Sequence, residues 1–266
     1  MNGYDIIVLA GQSNAEGSGV GKGSSKHYNN PNILELIDKN RSFVKLSEDG
    51  VLSLFKPFEW TMQIAKERID GETIYADFAQ SFADEYIKKG RLQEGRKVLI
   101  VKTAIGGTGF MRNQWGKGCP MTERAFEMID YALSLEENSR IVALLWHQGE
   151  HDAFESPELS LQTREKFYYD KFGCFVDTLV EKYGVMPVIA GGFIDEWSKD
   201  YILQCNAVTR ATKKVLNRYG GAVVSAKGLK SNNQDSNNGD TIHFCRKSLY
   251  KLGKKYYQAF EKIVNK

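Results

Sequence analysis

Residues 4–14 read YDIIVLAGQSN, and this stretch indicates which fold the chain adopts. Its first seven residues are mostly apolar and rich in β-branched side chains, which is typical of a strand buried on both faces. Glycine ends the apolar run, and three small polar residues follow it. In open parallel sheets, ligands bind beyond the carboxyl ends of the strands. The stretch therefore predicts an α/β fold with a functional site where this strand ends.

Similar apolar runs recur along the chain and alternate with segments of helical periodicity. Strands are predicted at 4–10, 97–103, 140–146, 186–191 and 221–226. Helices are predicted at 74–89, 121–136, 158–183, 201–218 and 245–264. Strands this apolar need helices on both faces. The expected fold is α/β: a three-layer α/β/α sandwich around a five-stranded, mostly parallel sheet, with polar surface loops at 17–60 and 227–240.

Length, charge and composition exclude several classes of protein. The 266 residues suit a single domain spanning 1–266. A net charge of +3 with dispersed Lys and Arg argues against nucleic acid or an anionic membrane as partner. No apolar run approaches the roughly 18–20 residues of a membrane span. No signal peptide precedes the first strand, so we expect a cytoplasmic protein.

Ser13 stands at the tip of the first strand, where its hydroxyl is accessible. A serine attacks an acyl group only when a base lies within hydrogen-bond reach. His243 is the natural base, because it precedes the last predicted helix at the same edge of the sheet. Asp240, three residues earlier, can reach its imidazole and fix the tautomer. The competing interpretation makes Ser13 a turn residue and Asp240 a helix N-cap.

Two further segments follow strands and add polar groups to this edge. IGGT at 105–108 offers the backbone N–H groups of Gly106 and Gly107 to an oxyanion. HQGEHD at 147–152 offers the Gln148 amide as another donor. The same segment carries Glu150 and Asp152, which are alternatives to Asp240 as the acid or supports for the loop.

HQGEH at 147–151 also fits the HxxEH pattern, in which two histidines on one helical face bind zinc. His147 and His151 would then be metal ligands. That geometry requires a helix, whereas Gly149 lies inside the motif and an apolar strand leads directly into it. A site without metal or other cofactor is the favoured interpretation, and a zinc hydrolase is the alternative.

Taken together, GQSN, GGT, WHQGE and DxxH, in this order, resemble the SGNH-hydrolase superfamily. The closest likeness is to its sialate O-acetylesterase-like branch and to carbohydrate esterase family 6, which includes acetylxylan esterases. The resemblance implies a flavodoxin-like sandwich. It further implies Ser13 as nucleophile, His243 as base and Asp240 as orienting acid. The implied oxyanion hole comprises the Ser13 N–H, the N–H of Gly107 or Gly106, and the Gln148 side chain.

The resemblance also implies the reaction, which is hydrolysis of an O-acetyl ester through an acyl-enzyme without a cofactor. The expected partner is an acetylated carbohydrate, either acetylated xylan or another oligosaccharide, or O-acetyl sialic acid. Phe110, Asn113 and Trp115 follow GGT closely and are predicted to form a wall for the substrate. A carbohydrate-binding protein that keeps the fold without turnover is a further alternative.

Overall fold

The structure is a computed structural model that describes residues 2–21, 29–38, 45–46, 52–53 and 59–265. The strands in these ranges are β1 (Gly3–Gly11), β2 (Gly19–Val20), β3 (Ile33–Asp38), β4 (Lys45–Leu46), β5 (Leu52–Ser53), β6 (Trp60–Ile64), β7 (Arg68–Asp70), β8 (Thr73–Ala76), β9 (Arg96–Lys102), β10 (Arg140–His147), β11 (Val188–Gly191) and β12 (Ala222–Val224). The helices are α1 (Ser13–Glu16), α2 (Ala79–Lys88), α3 (Pro120–Ser134), α4 (Glu150–Phe154), α5 (Leu161–Tyr183), α6 (Asp195–Ser198), α7 (Ile202–Asn217), α8 (Asn232–Ser236) and α9 (Arg246–Val264).

A central sheet of seven strands has the order β12-β11-β10-β1-β9-β3-β6. All neighbours pair in parallel except β6, which runs antiparallel to β3 at the edge. β1 lies in the middle, between β10 and β9, and Gly11 at its end pairs with His147 at the end of β10. The predicted mixed α/β fold with a mostly parallel sheet is confirmed, and all five predicted strands belong to this sheet.

Helices cover both faces of the sheet, as successive residues of β10 show. Trp146 packs against Phe172 and Phe175 of α5, whereas His147 packs against Tyr256 of α9. Side chains alternate between the two faces along a strand, so α5 and α9 lie on opposite faces. α2 packs beside α9, and α7 packs beside α5. No helix in the described ranges combines the length and the apolar character needed to cross a membrane.

The sheet has two strands more than the five predicted: β3 lies within the stretch predicted as the surface loop 17–60, and β6 begins at its last residue. β3 was missed because two acids, Glu35 and Asp38, interrupt its apolar pattern. Both are nevertheless buried. Glu35 lies 2.8 Å from the Lys102 ammonium and accepts a 2.7 Å hydrogen bond from Gln63. Other parts of the predicted loop, such as 22–28, lie outside the described residues.

Two other boundaries differ from the sequence-based prediction. The helix predicted at 74–89 begins only at Ala79, because Thr73–Ala76 form β8 beside β2 and β7. The polar loop predicted at 227–240 contains α8, which starts with a capping box between Ser231 and Gln234. In that box each side chain satisfies a backbone N–H of the other residue, which stabilises a helix too short to show an apolar period.

Candidate active site

The carboxyl edge of the sheet brings Ser13, His243 and Asp240 into one hydrogen-bonded chain. The Ser13 Oγ lies 2.8 Å from His243 Nε2. His243 Nδ1 lies 2.9 Å from Asp240 Oδ2 and 3.0 Å from Oδ1. The histidine and aspartate side chains are 25% and 28% exposed, so the chain opens to solvent. A hydroxyl, an imidazole and a carboxylate in this order can carry out nucleophilic acyl transfer.

The end of β1 places Ser13 at this edge. Gly11 has a φ of 128°, and a Cβ there would lie 2.0 Å from the His147 carbonyl oxygen, so only glycine fits. The Gln12 N–H donates to that same carbonyl at 2.9 Å, which holds the tip of β1 against β10. The chain then turns into α1, whose first residue is Ser13. A rigid pairing of two central strands therefore fixes the position of the serine.

Asp240 is held by α8 as well as by His243. Asn232 Nδ2 donates to Asp240 Oδ2 at 2.7 Å, and the backbone N–H of Asn233 donates to the Asp240 carbonyl at 2.8 Å. Burial raises the pKa of Asp240, but hydrogen bonds from His243 and Asn232 outweigh it and hold the pKa below its ordinary value. The N-cap of α9 is Cys245, not Asp240. The carboxylate is thus kept ionised against the imidazole.

The glycine turn at 106–107 lies directly beside the serine. A Cβ on Gly106 would be 3.4 Å from Ser13 Cβ and 2.8 Å from Glu16 Oε2. The Gly106 N–H donates to that Glu16 oxygen at 2.7 Å and is already engaged. Gly107 has a φ of 72°, which favours glycine. Within the described part of the chain, the N–H groups of Ser13 and Gly107 have no protein acceptor, so both are available to an oxyanion.

Gln148 is buried, and its amide is engaged within the protein. Its Nε2 donates to Asp152 Oδ2 at 2.6 Å and faces Gln12 Oε1 and the Thr108 carbonyl at 3.2 and 3.3 Å. Its Oε1 accepts from the Tyr168 hydroxyl at 3.0 Å. Both amide hydrogens therefore have protein acceptors. The amide ties β1, the glycine turn and α4 together, and the role of Gln148 as an oxyanion donor stays a prediction.

Glu150 and Asp152 project from α4 in directions that do not reach the His243 imidazole. Glu150 Oε1 accepts from Asn14 Nδ2 at 2.8 Å. Asp152 accepts from the backbone N–H groups of Phe110 and Met111 at 3.0 and 2.7 Å. Burial raises the pKa of Asp152 to about 6, despite the lowering effect of these hydrogen bonds. The acid within reach of His243 is Asp240, and the other two hold loops.

The two histidines of the HQGEH motif lie on different elements, because His147 ends β10 and His151 belongs to α4. His147 Nδ1 contacts the Tyr256 hydroxyl at 3.1 Å, and His151 Nε2 lies 2.6 Å from Glu155 Oε2. The single helical face on which the zinc alternative depends is therefore not formed. Across the part of the chain that is described, no three His, Cys, Asp or Glu side chains converge as metal ligands.

The predicted substrate wall is corrected for two of its three residues. Phe110 and Trp115 are fully buried and pack edge-on or tilted against Trp146 in the core. They present no surface to a ligand, because the chain after the GGT turn runs back into the core. Asn113 is exposed, with a φ of 51°.

A pocket of about 290 Å³ begins beside α1, at the ends of β3 and β9. Ala15, Glu16, Ala104 and the side chains of Lys66 and Arg68 line part of it. Lys66 and Arg68 are exposed, and neither has an acidic partner among the described residues. Arg68 instead lies over the Tyr75 ring, 4.2 Å from its centroid. The pocket therefore offers two exposed cations near α1, on a lining that also carries the acids Glu16, Glu35, Asp38 and Glu67.

Sequence reasoning assigned no role to Asn14 or Asn232. Asn14 lies within the GQSN motif, where only its neighbour Ser13 suggested chemistry. Its side chain contacts the backbone on both sides of His243. Asn232 lies in a stretch rich in Ser and Asn, and the S-x-x-Q capping pattern at 231–234 was the signal that could have located it on a helix.

Comparison with known proteins gives one family match. A family model described as carbohydrate esterase, sialic acid-specific acetylesterase, matches residues 3–262. No curated protein sequence matches the chain.

Solved structures resemble the whole chain at low identity. NanS is 15% identical with a TM-score of 0.72, over 99% of this chain and 98% of NanS. A protein from Arabidopsis thaliana is 20% identical with a TM-score of 0.67, over 98% of both chains. A carbohydrate acetylesterase from Xanthomonas citri is 14% identical with a TM-score of 0.62, over 98% of this chain and 57% of the other. These likenesses show a shared fold.

Proposed function

Because this chain belongs to the sialic acid-specific acetylesterase family of carbohydrate esterases, we propose that Ser13, His243 and Asp240 form its catalytic triad. The observation that carries the proposal is the continuous chain from Ser13 Oγ through the imidazole to Asp240. The reaction is hydrolysis of an O-acetyl ester on a carbohydrate. No step of this chemistry needs a metal or another cofactor.

In the first half-reaction, Ser13 Oγ attacks the acetyl carbonyl carbon while His243 Nε2 accepts the hydroxyl proton. Asp240 stabilises the imidazolium that forms. The negative charge develops on the carbonyl oxygen, where the N–H groups of Ser13 and Gly107 donate hydrogen bonds. Collapse of the tetrahedral intermediate breaks the bond to the sugar oxygen, which takes the proton from His243.

In the second half-reaction, water attacks the acetyl-serine. His243 removes a proton from the water and returns it to Ser13 Oγ as the ester bond breaks. Acetate leaves, and the serine is restored. The partly exposed imidazole gives water the access that this step requires. The same two backbone donors stabilise the second oxyanion.

The substrate we favour is an O-acetylated sialic acid, and a neutral acetylated xylo-oligosaccharide is the alternative. Two observations support the choice: the family description, and the exposed cations Lys66 and Arg68 in the pocket beside α1. A sialic acid carries a carboxylate, which a guanidinium binds in bidentate fashion. A xylo-oligosaccharide has no such charge. Asn113, exposed after the glycine turn, is our candidate for a polar contact to the sugar.

The test is acetate release from a panel of acetylated sugars by the wild type and by Ser13→Ala and Arg68→Ala. Ser13→Ala should lower kcat at least about a thousandfold, because nucleophile and base act as a unit. Arg68→Ala should raise KM for O-acetyl sialic acid about tenfold and leave KM for a neutral acetylated sugar unchanged.

Equal changes in KM for both sugars would reject the anionic substrate. Binding of acetylated sugars without acetate release would favour a carbohydrate-binding protein instead. Activity of Ser13→Ala within tenfold of the wild type would reject the triad itself. Thermal melts of each variant separate these effects from loss of folding.

A further inference from the structure

Asn14 holds the backbone on both sides of His243. Its Nδ2 donates to the Ile242 carbonyl at 3.2 Å, and its Oδ1 accepts from the Phe244 N–H at 3.0 Å. The Asn14 side chain is fully buried. It is also the residue that follows Ser13. One side chain therefore connects the segment that carries the nucleophile to the segment that carries the base.

Asn14 is held in turn by Glu150. Its Nδ2 donates to Glu150 Oε1 at 2.8 Å, in addition to the Ile242 carbonyl. Both hydrogens of the amide are thus used, and the amide plane cannot rotate without breaking a buried hydrogen bond. Breaking such a bond leaves a polar group unsatisfied, which is costly in a site this buried. Glu150 therefore fixes the orientation in which Asn14 holds the His243 segment.

The buried Glu150 carboxylate lies beside His147, whose ring contacts Tyr256. The Tyr256 hydroxyl donates its one hydrogen to the Trp146 carbonyl at 2.8 Å, so it accepts from His147 Nδ1–H at 3.1 Å. His147 Nε2 then faces Glu150 Oε1 at 3.4 Å. Burial raises the pKa of Glu150, but His147 and Asn14 outweigh it and lower the pKa below its ordinary value.

We propose that Glu150 is a positioning residue that fixes the His243 imidazole through the Asn14 amide. The proposal rests on the proposed function, since it concerns the geometry of that base. Glu150 contacts neither the substrate nor the reacting atoms, and it acts on His243 only through Asn14. It aligns His243 Nε2 with Ser13 Oγ. General-base catalysis requires the distance between these two atoms to be short.

The experiment is a double-mutant cycle of Glu150→Ala and Asn14→Ala, measured as kcat and KM on p-nitrophenyl acetate. Each single variant should lower kcat about tenfold to a hundredfold with little change in KM, because the base is misplaced while the binding surface is intact. In the Asn14→Ala background, Glu150→Ala should lower kcat less than about twofold, because its route to His243 is gone. Glu150→Gln should retain more activity than Glu150→Ala, since its amide oxygen still accepts from Asn14.

A second measurement does not need turnover. In protein with ¹⁵N-labelled histidine, the Nδ1–H signal of His243 should exchange faster with water in Glu150→Ala than in the wild type. Tyr86→Phe is the matched control, because it removes a buried hydrogen bond to Asp5 at the other end of β1. It should lower Tm without changing kcat or the His243 signal.

The proposal would be overturned by kcat losses that add across the cycle, or by an unchanged His243 signal in Glu150→Ala. Loss of Tm alone, as in the control, would also overturn it by making Glu150 merely structural. Failure of the proposed function is distinguishable, because the wild type would then release no p-nitrophenol while the His243 signal still reports the alignment.

Discussion

Ser13 and His243 are separated by 230 positions in the chain, yet their reacting atoms are 2.8 Å apart. Each was identifiable from sequence because it directly follows, or directly precedes, an element with a clear apolar pattern. Gln148 shows the limit of such reasoning. Its position after β10 indicated a donor at the site, but two of its hydrogen-bond partners, Gln12 and Thr108, come from other segments. Those partners depend on tertiary packing that local spacing does not encode.

At the scale of single residues, the assignment of Asp240 as the triad acid can be tested by substitution. Asp240→Asn should lower kcat by several hundredfold or more, because an amide facing His243 Nδ1 favours the wrong imidazole tautomer. Glu150→Gln should lower it less, because Glu150 reaches His243 only through Asn14. The measurement is the pH–rate profile of both variants on one acetyl ester, with melts to correct for folding. A severe loss in Glu150→Gln beside a mild one in Asp240→Asn would mean that Glu150 is the acid.

At the scale of elements, the sheet was predicted where strands are wholly apolar and missed where they carry buried charge. β1, β9 and β10 were found within one or two residues of their bounds. β3 was not predicted, because an acid such as Glu35 is normally a surface residue. Its partner Lys102, which allows it to be buried, lies on β9. The partnership joins strands more than sixty positions apart in sequence. A buried ion pair of this kind is invisible to any local periodicity.

Lys102 makes this element-scale interpretation testable. Its ammonium also lies 2.7 Å from Asp77, just before α2, so one cation serves two buried carboxylates. Burial lowers the Lys102 pKa, but Asp77 and Glu35 outweigh it and raise the pKa above its ordinary value. Lys102→Met should lower the free energy of unfolding by about 3–5 kcal/mol, because both carboxylates lose their partner. Urea unfolding at neutral pH measures the change.

The matched control is Lys182→Met, which removes the surface pair with Asp130, whose side chains are 41% and 50% exposed. That pair should contribute less than about 1 kcal/mol. Similar losses in the two variants would contradict the importance assigned to the β3–β9 ion pair.

At the scale of the whole molecule, the functional edge was predictable because all its segments follow one rule: each comes at the carboxyl end of a strand or before the last helix. The sugar contacts were not predictable, since the burial of Phe110 and Trp115 depends on where the chain goes after the turn. The loop that carries them is anchored to α4 by Asp152. Because Asp152 holds the loop after the glycine turn, its protonation state affects the stability of the folded chain.

The pH dependence of unfolding tests this anchor. The folded state raises the pKa of Asp152 from 3.8 to about 6, so it binds the proton more tightly than the unfolded chain does. The stability that this group contributes is then fully present below about pH 4 and is lost as pH rises to about 6. A shift of this size corresponds to about 3 kcal/mol. Asp152→Asn cannot titrate, so its curve should lack that fall.

The measurement is urea unfolding of the wild type and Asp152→Asn between about pH 4 and pH 7, where the shifted group changes its charge. The stability of the wild type relative to the variant should decrease across this interval and then stay level. Titration of neighbours such as Glu155 cancels in the difference to the extent that it is common to both proteins. A relative stability that instead increases with pH would mean that the hydrogen bonds from Phe110, Met111 and Gln148 outweigh burial. Asp152 would then hold the turn more strongly as a carboxylate than as a neutral acid.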